Sequence, residues 1–460
     1  MKSEASDSVS KGAALFVAVL ASFLTPFIGS SVSVALPTID KEFGLDAIML
    51  GWVVTAYLLA AAIFLVPFGR LADIKGRKKV FAYGIIIDAI ASIGAALSPS
   101  GVLLICFRVL QGIGGAMIFG TGVAIVTSIF PLSERGKALG INAAAVYIGL
   151  SLGPPASGFL TQYLGWRSIF FLDALIGVVI IIAVFWKLKG EWAGAKGEKF
   201  DWIGSVIYGV TLLAIMYGFT LLPDLCGLGL VAVGVACLVA FILWENRVKS
   251  PVLHMDLFKK STVFSMSNLA ALINYSATFG ISFLLSLYLQ YIKGFSPEIT
   301  GLILVMQPVM MAALSPIAGR LSDRIQPRLI ATIGMALTTV GLVMLVFLDQ
   351  NTNVGFVIAS LFIVGIGFGL FSSPNTNAVM SSVEKQFYGV ASGTLATMRL
   401  VGQMLSLGIV MIMFALFIGQ VQILPQSYPA FLTSSRTAFI VFAILCFGGI
   451  FASLARGKSR

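Results

Sequence analysis

Four charged residues lie deep within apolar stretches of the sequence, namely Asp88, Arg108, Asp173 and Arg399. A charge in a hydrocarbon environment costs about 3 kcal/mol by insertion scales. Each of these residues therefore needs a neutralising partner, a water-filled cavity or a functional role. A carboxyl group in such a place can bind and release a proton, and a neighbouring arginine can tune that affinity. Asp88 and Arg108 either form a structural ion pair, or one of the two aspartates titrates during function.

The other two positions also allow two interpretations each. Asp173 is either a partly exposed acid near the outer surface or a site of proton binding. Arg399 either hydrogen-bonds carbonyl groups between helices or contacts an anionic group of a ligand. Amide side chains in the apolar stretches are further candidates for a cavity wall: Gln111, Asn268, Asn274, Gln307, Asn375, Asn377 and Gln403. The stretch 365–380 combines three glycines with Pro374, a pattern that indicates either a bend or close helix packing.

The composition places these side chains in a membrane. Hydrophobic residues make up 58% of the 460 positions, and the mean hydropathy is +1.00. About 20 apolar residues are needed for a helix to cross the bilayer. Fourteen runs meet that need, and they lie near 12–36, 50–69, 80–98, 101–130, 138–162, 167–187, 202–222, 229–244, 265–291, 298–319, 328–348, 354–379, 389–418 and 435–455.

The basic residues predict how the helices are oriented. The net charge is +11, but the lysines and arginines stand in short clusters between apolar runs, which argues against a nucleic-acid partner. Twenty-four of the thirty fall on the side of the N-terminus and four on the other, at Lys41, Arg167, Lys293 and Arg436. We therefore expect a multi-pass protein of the plasma membrane with both termini in the cytoplasm.

A duplicated segment divides the chain. GRLADIKGRKK at 69–79 and GRLSDRIQPR at 319–328 each follow the second helix of a set of six. This predicts a first bundle at 1–187, two inserted helices with their linkers at 188–264, and a second bundle at 265–460. Such an internal repeat, with a working cavity between the halves, is typical of secondary transporters.

Several motifs resemble those of the major facilitator superfamily. GRLADIKGRKK is similar to its cytoplasmic loop motif, GLSLGPPASGFL (Gly149–Leu160) to its antiporter motif in helix 5, and RVLQGIGGA (Arg108–Ala116) to its helix-4 motif. GWRSIFFLDALIG and FDWIG resemble landmarks of the fourteen-helix drug:proton antiporter branch. One departure is Ile28, which stands where that branch commonly has an aspartate.

The resemblance implies an all-α fold of two six-helix bundles plus two inserted helices. It also implies proton-coupled export of small hydrophobic or amphiphilic compounds. The motif residues would then act in gating, with the cytoplasmic cluster favouring an outward-open state: Gly69, Arg70, Asp73, Gly76, Arg77, Gly149, Gly153, Pro154, Gly158, Gly319 and Asp323. Asp73 would accept hydrogen bonds from Arg77 and nearby amides.

Other function classes find less support in the residues. Uptake or facilitated diffusion of a metabolite is the alternative within transport. An enzyme or sensor would need a catalytic cluster, yet His254 is the only histidine, and neither a metal-ligand set nor a phosphate-binding loop occurs in the sequence. We therefore expect a monomer that uses an ion gradient, with H⁺ as the ion, rather than a cofactor or metal.

Overall fold

The computed structural model describes residues 11–130, 132–188, 190–248, 251–253, 255–322, 324–384 and 387–457. Within these residues 14 helices are long and apolar enough to cross a membrane, which confirms the predicted number. We number them α1 to α14. The first seven are α1 (Lys11–Phe43), α2 (Ala47–Lys75), α3 (Arg77–Ala96), α4 (Gly101–Ile129), α5 (Leu132–Leu164), α6 (Arg167–Lys187) and α7 (Trp202–Thr220). The remainder are α8 (Leu225–Glu245), α9 (Thr262–Ile292), α10 (Pro297–Ser322), α11 (Pro327–Val346), α12 (Val354–Ser381), α13 (Tyr388–Phe417) and α14 (Tyr428–Leu454).

Several helices extend past the apolar runs that predict them. The run at 50–69 predicts a helix that ends at the first residue of the GRLADIKGRKK segment, but α2 continues to Lys75 and α3 begins at Arg77. The segment is therefore helical except at Gly76, and the expectation of a loop was wrong. The reversal needs only one residue because Gly76 has φ 121°, a conformation that side chains with a Cβ rarely adopt.

Two helices of the second half are interrupted. In α9 the segment Thr262–Thr278 is followed by Gly280–Leu287 and then by a π-helical turn at Tyr288–Ile292. The Gly280 amide donates to Ser406 Oγ of α13 at 2.8 Å instead of continuing the regular ladder. In α10 the break falls at Val305, three residues before Pro308. Proline cannot donate to the carbonyl four residues earlier, which explains why the ladder stops there.

The stretch 365–380, by contrast, belongs to one continuous helix, α12. A methyl group placed on Gly367 would lie 2.5 Å from the Thr338 amide nitrogen, and one on Gly365 would lie 2.6 Å from the Gln307 carbonyl oxygen. These glycines therefore let α12 approach the backbones of α11 and α10. Close packing, the second of the two interpretations, is what the structure shows.

The helices form two bundles with matching internal packing. In the first, α1 packs along α5, α2 along α4, and α3 between α4 and α6. In the second, α9 packs along α13, α10 along α12, and α11 between α12 and α14. Helices at equivalent positions in the two halves therefore have equivalent neighbours. This is the pseudo-symmetry that the duplicated segment predicts.

The bundles meet through α2 with α13 and through α5 with α10. Helix α7 lies against both α2 and α13, where Tyr208 Oη donates to the Ala62 carbonyl oxygen at 3.2 Å. Helix α8 packs on α7, and only 17% of its most apolar 18-residue segment is buried. The inserted pair thus lies at one side of the interface between the bundles, and the predicted domain boundaries remain predictions.

Candidate functional site

A buried polar cluster in the first bundle begins with Arg108 of α4, which is fully buried. Its Nε donates to the Val53 carbonyl oxygen at 3.0 Å, and its Nη1 donates to Gln111 Oε1. The guanidinium lies 4.5 Å from the ring centroid of Tyr57 and 6.0 Å from that of Phe170. Arg108 is therefore held by backbone, amide and aromatic groups from α2, α4 and α6.

Asp173 of α6 is the acid at the centre of this cluster. Its Oδ2 accepts a hydrogen bond from Ser92 Oγ at 2.5 Å and one from Gln111 Nε2 at 3.0 Å. Gln111 Nε2 also donates to Ser92 Oγ at 2.7 Å. The side chain of Asp173 has no exposed surface, so the interpretation as a partly exposed acid near the outer surface was wrong. Helix α6 thus buries the Asp173 side chain against α3 and α4.

Asp88 of α3 is buried too, and it stands one helical turn before Ser92, whose hydroxyl donates to Asp173. Among the described residues, the ion pairs within 4.0 Å include neither Asp88 nor Arg108. The direct ion pair, the first of the two interpretations of Asp88 and Arg108, is therefore not formed. Instead the amide of Gln111 stands between Arg108 and Asp173 and bonds to both.

Close packing of α3 on α4 brings these side chains together. A methyl group on Gly114 would lie 2.7 Å from the Gly84 carbonyl oxygen and 2.8 Å from the Asp88 amide nitrogen. Only a residue without a side chain permits this approach. The glycines of the RVLQGIGGA motif thus set the distance at which Arg108 and Gln111 meet α3.

The sequence interpretation missed two members of the cluster, Ser92 and Tyr57. Ser92 stands four residues after Asp88, hence on the same face of α3, which is a signal that helical spacing could have supplied. Gln111 was predicted for a cavity wall, but its side chain is fully buried in the cluster. Within the described part of the chain, three of the buried atoms here lack a hydrogen-bond partner: Asp173 Oδ1, Arg108 Nη2 and Tyr57 Oη. The cluster can therefore accept a proton or a water molecule.

Arg399 of α13 lies in a second polar group, in the other bundle. Its Nη2 donates to Thr376 Oγ1 of α12 at 2.5 Å, and its guanidinium lies 5.7 Å from the ring centroid of Tyr275 of α9. Across the bundle interface, Tyr147 Oη of α5 lies 3.4 Å from Ser372 Oγ of α12. This second group, unlike the first, has contributions from both bundles.

The remaining predicted cavity residues divide by burial. Asn268, Asn274, Gln307 and Asn375 are buried, and Asn377 Nδ2 donates to Ser322 Oγ at 3.0 Å. Gln403 is partly exposed. Both amide atoms of Asn274 and of Asn375 lack a partner among the described residues, which leaves them available to a ligand or water.

The bundles are joined at the end of the molecule remote from the α2–α3 turn. We call the end that carries Lys75, Lys78 and Lys79 the basic face and the other end the opposite face. Near the opposite face Asp40 of α1 accepts hydrogen bonds from Tyr291 of α9 and, at 3.4 Å, from Gln422 Nε2. Three further contacts between the bundles lie on the same side: Ser286 Oγ to the Ser33 carbonyl at 2.7 Å, Gln290 Nε2 to the Val34 carbonyl at 2.9 Å, and Tyr163 Oη to Glu298 at 3.0 Å.

The glycines of the helix-5 motif serve these helix contacts. Methyl groups on Gly149 and Gly153 would come within 3.0 Å of α1, and one on Gly158 would lie 2.5 Å from the Pro297 carbonyl oxygen at the start of α10. Pro154 faces α10 too, because a methyl group on Gly301 would overlap its carbonyl oxygen. The motif therefore packs α5 against a helix of each bundle.

At the basic face, Asp73 and Arg77 form the ion pair that the motif predicts. Arg77 Nε donates to Asp73 Oδ1 at 2.8 Å, and its Nη1 donates to Ser128 Oγ of α4 at 2.6 Å. Gly69 lies against α4, where a methyl group on Gly120 would meet its Cα at 3.3 Å. These contacts tie the turn to the first bundle.

The linker between α6 and α7 covers this turn. Glu191 accepts hydrogen bonds from the amides of Lys78 at 2.8 Å and Lys79 at 3.2 Å, the unpaired donors at the start of α3. The Trp192 carbonyl accepts from the Arg77 amide at 2.8 Å. Two more contacts join the linker to α2. The Ala195 amide donates to the Asp73 carbonyl at 2.9 Å, and Arg70 forms an ion pair with Glu198. No motif predicted this strap, because it joins segments far apart in the sequence.

In the repeated segment of the second half, Gly319 faces α12, since a methyl group on it would lie 2.7 Å from Ser373 Oγ. Asp323, the counterpart of Asp73, lies outside the described residues, as does His254. Across the residues that the structure describes, no group of three His, Cys, Asp or Glu side chains could hold a metal ion.

The fold and sequence agree with those of known transporters. The chain is 29% identical to riboflavin transporter RibZ of Clostridioides difficile, over 95% of each chain. It is 30% identical to multidrug resistance protein Stp of Mycobacterium tuberculosis, over 81% of this chain and 70% of that one. A bacterial homolog of the human lysosomal transporter Spinster, in an inward-facing and unoccupied conformation, superposes with a TM-score of 0.70 at 16% identity over 97% of both chains. The family model of the Major Facilitator Superfamily matches residues 18–407 and 267–458. This chain therefore belongs to the major facilitator superfamily and is a transporter of that family, not an enzyme.

Proposed function

We propose that this transporter exports small hydrophobic or amphiphilic compounds in exchange for protons. The observation that carries the proposal is that Asp88 and Asp173 are both buried, in one polar cluster with Arg108 of the first bundle. Two neighbouring carboxyl groups out of water hold one proton more readily than two negative charges. A pair that gains and loses this proton changes the charge within the bundle by one unit, which can bias the two bundles between conformations.

Arg108 supports a role in coupling. It reaches Asp173 through Gln111. A change of charge on Asp173 therefore alters the electrostatic interactions of the arginine and of the α2 backbone that the arginine binds. Helix α2 in turn packs against α13 of the second bundle. The cluster thus has a physical connection to the interface that must move during alternating access.

The arrangement of the bundles supports alternating access. Contacts between the bundles hold the opposite face together, and if the basic face is cytoplasmic, as the basic residues predict, this state is closed toward the outside. Exporters and importers both pass through such a state, so the proposed direction rests on the resemblance of the helix-5 motif to that of antiporters. We place the protein in the plasma membrane with both termini in the cytoplasm, as a monomer that needs an H⁺ gradient and no cofactor.

Uptake of a metabolite is the second candidate, and the similarity to a riboflavin transporter over nearly the full length favours keeping it. The two candidates differ in the direction of coupling. An exporter of the proposed kind accumulates substrate on the side from which protons leave, whereas a symporter accumulates it on the side that protons enter.

The test is substrate-induced proton movement in proteoliposomes with rhodamine 6G and sulforhodamine B as amphiphilic probes. We expect wild-type protein to move protons against at least one of the two probes, and Asp88→Asn and Asp173→Asn each to reduce this movement by about tenfold or more. Asp224→Asn, which changes an exposed acid between α7 and α8, is the matched control and should retain wild-type coupling. Undiminished coupling in both carboxyl variants would refute the proton site. Probe movement in the symport direction would favour uptake.

A further inference from the structure

Arg399 is a cation within a membrane-spanning helix, and no carboxylate of the described residues pairs with it. It stands eleven residues after the start of α13, about 16 Å into the helix at 1.5 Å per residue. Among the described residues, the ion pairs within 4.0 Å do not include it. Its hydrogen bond goes to the neutral Thr376 hydroxyl, and its buried Nε has no partner in the part of the chain that the structure describes. A guanidinium in this state retains donors for an anion.

Aromatic rings stand next to this cation. The Tyr275 ring lies 5.7 Å from the Arg399 guanidinium and packs edge-on against Phe368, with centroids 5.1 Å apart and an interplanar angle of 83°. Tyr147 enters from the first bundle and reaches Ser372. Tyr147, Tyr275 and Arg399 are each partly exposed, and Tyr147 meets Ser372 one turn before the Thr376 to which Arg399 donates.

Helix α12 adds neutral donors on one face. Ser372, Asn375 and Thr376 are three and four residues apart, so they share a side of the helix. Asn375 is buried, and both atoms of its amide lack a partner within the described part of the chain. Helix α1 brings no compensating acid to this depth, because its acids, Asp40 and Glu42, lie at its far end. The group is thus cationic, aromatic and rich in donors.

We infer that Arg399, Tyr275, Phe368, Asn375, Thr376 and Tyr147 form a binding site for a planar aromatic compound that carries an anionic group. We call these residues the Arg399 site. The guanidinium binds the anionic group through paired hydrogen bonds, and the tyrosine rings pack against the aromatic part of the ligand. A cationic compound is disfavoured at this site, since it would be repelled by Arg399 and the described residues that form the site include no carboxylate. This inference rests on the proposed function, because it names the substrate class of the exporter.

Two xanthene dyes of opposite charge test the inference. Sulforhodamine B is anionic and rhodamine 6G is cationic, while the aromatic core is shared. Binding to purified protein in nanodiscs is measured by fluorescence anisotropy. We expect wild-type protein to bind sulforhodamine B about tenfold or more tightly than rhodamine 6G, and Arg399→Gln to remove this preference. Arg399→Lys should retain part of it, since lysine keeps the charge but loses the planar donors.

Controls separate this result from misfolding. Arg436→Gln removes an exposed arginine of α14 and should bind both dyes as wild type does. Tyr275→Leu leaves Arg399 in place and should weaken sulforhodamine B binding several-fold through loss of the ring. A monodisperse size-exclusion profile is required of every variant.

The outcomes distinguish this inference from the proposed function. Preference for rhodamine 6G, binding of neither dye, or sulforhodamine B binding that survives Arg399→Gln would overturn the Arg399 site. Proton-driven movement of rhodamine 6G would leave the exporter proposal standing in those cases. Conversely, Arg399-dependent binding of sulforhodamine B without proton-coupled movement supports the site and refutes the coupling.

Discussion

Gln111 Nε2 donates a hydrogen bond to Asp173 Oδ2 at 3.0 Å, while Gln111 Oε1 accepts one from Arg108. One amide therefore holds a buried cation and a buried acid apart and connects them. Because both ends of the amide are in use, its orientation follows from the charges on either side.

Replacing Gln111 should destabilise the first bundle. In Gln111→Ala, Arg108 Nη1 and one acceptor site of Asp173 lose their partner, and an unsatisfied buried polar group costs about 1–3 kcal/mol. We expect a lower unfolding temperature in detergent and loss of proton coupling. Gln162→Ala, which changes an exposed glutamine at the end of α5, should leave both unchanged. A wild-type unfolding temperature for Gln111→Ala would contradict the bridging role.

Asp73→Asn should reduce transport without affecting insertion or abundance. The change removes the charge that pairs with Arg77 at the start of α3, and Arg77 in turn holds Ser128 of α4. We expect transport of the dyes to fall about tenfold, because loss of a contact that favours the outward-open state shifts the balance between the two conformations. Lys75→Gln changes an exposed charge nearby and serves as the control. Equal transport by Asp73→Asn and wild-type protein would rule out a gating role for this pair.

The strap formed by Glu191 should protect the beginning of α3. In Glu191→Ala the amides of Lys78 and Lys79 lose their acceptor, and a lost helix cap costs about 1 kcal/mol. Hydrogen exchange at these two amides should accelerate roughly fivefold, as measured by mass spectrometry of the reconstituted protein. Lys196→Ala, in the same linker but exposed, should show wild-type exchange. Unchanged exchange in Glu191→Ala would mean that the linker does not cap α3 in the membrane.

A pair of glycine variants tests the closed end of the molecule. Gly301 of α10 faces the Pro154 carbonyl oxygen of α5 so closely that a methyl group would overlap it, whereas Gly229 of α8 has no atom within 4 Å. Overpacking of this kind costs about 1–3 kcal/mol. We expect Gly301→Ala to weaken the contact between the bundles and to lower transport, while Gly229→Ala behaves as wild type. Both variants are compared by dye transport and thermal unfolding, and identical behaviour of the two would argue against a close α5–α10 contact.

Residue types and spacing alone determined the outline of this protein. The 14 spans follow from runs long enough to cross hydrocarbon, a requirement that does not depend on which helices become neighbours. The duplicated GRL segments indicated two halves, and the packing of the bundles agrees. The sequence also identified Asp88, Arg108, Asp173 and Arg399 as charges deep within helices, since hydropathy makes them stand out regardless of their partners.

Only the tertiary structure decided what those charges contact. Ser92 and Asp173 are 81 positions apart, and Arg70 and Glu198 are 128 apart, so no local pattern relates them. Depth along a helix can be counted from the sequence, but the rotation of each helix and the distance to its neighbours depend on packing at glycines such as Gly84 and Gly114. That packing gave Arg108 an amide rather than Asp88 as its partner, buried Asp173, and left Arg399 beside a tyrosine ring instead of a carboxylate.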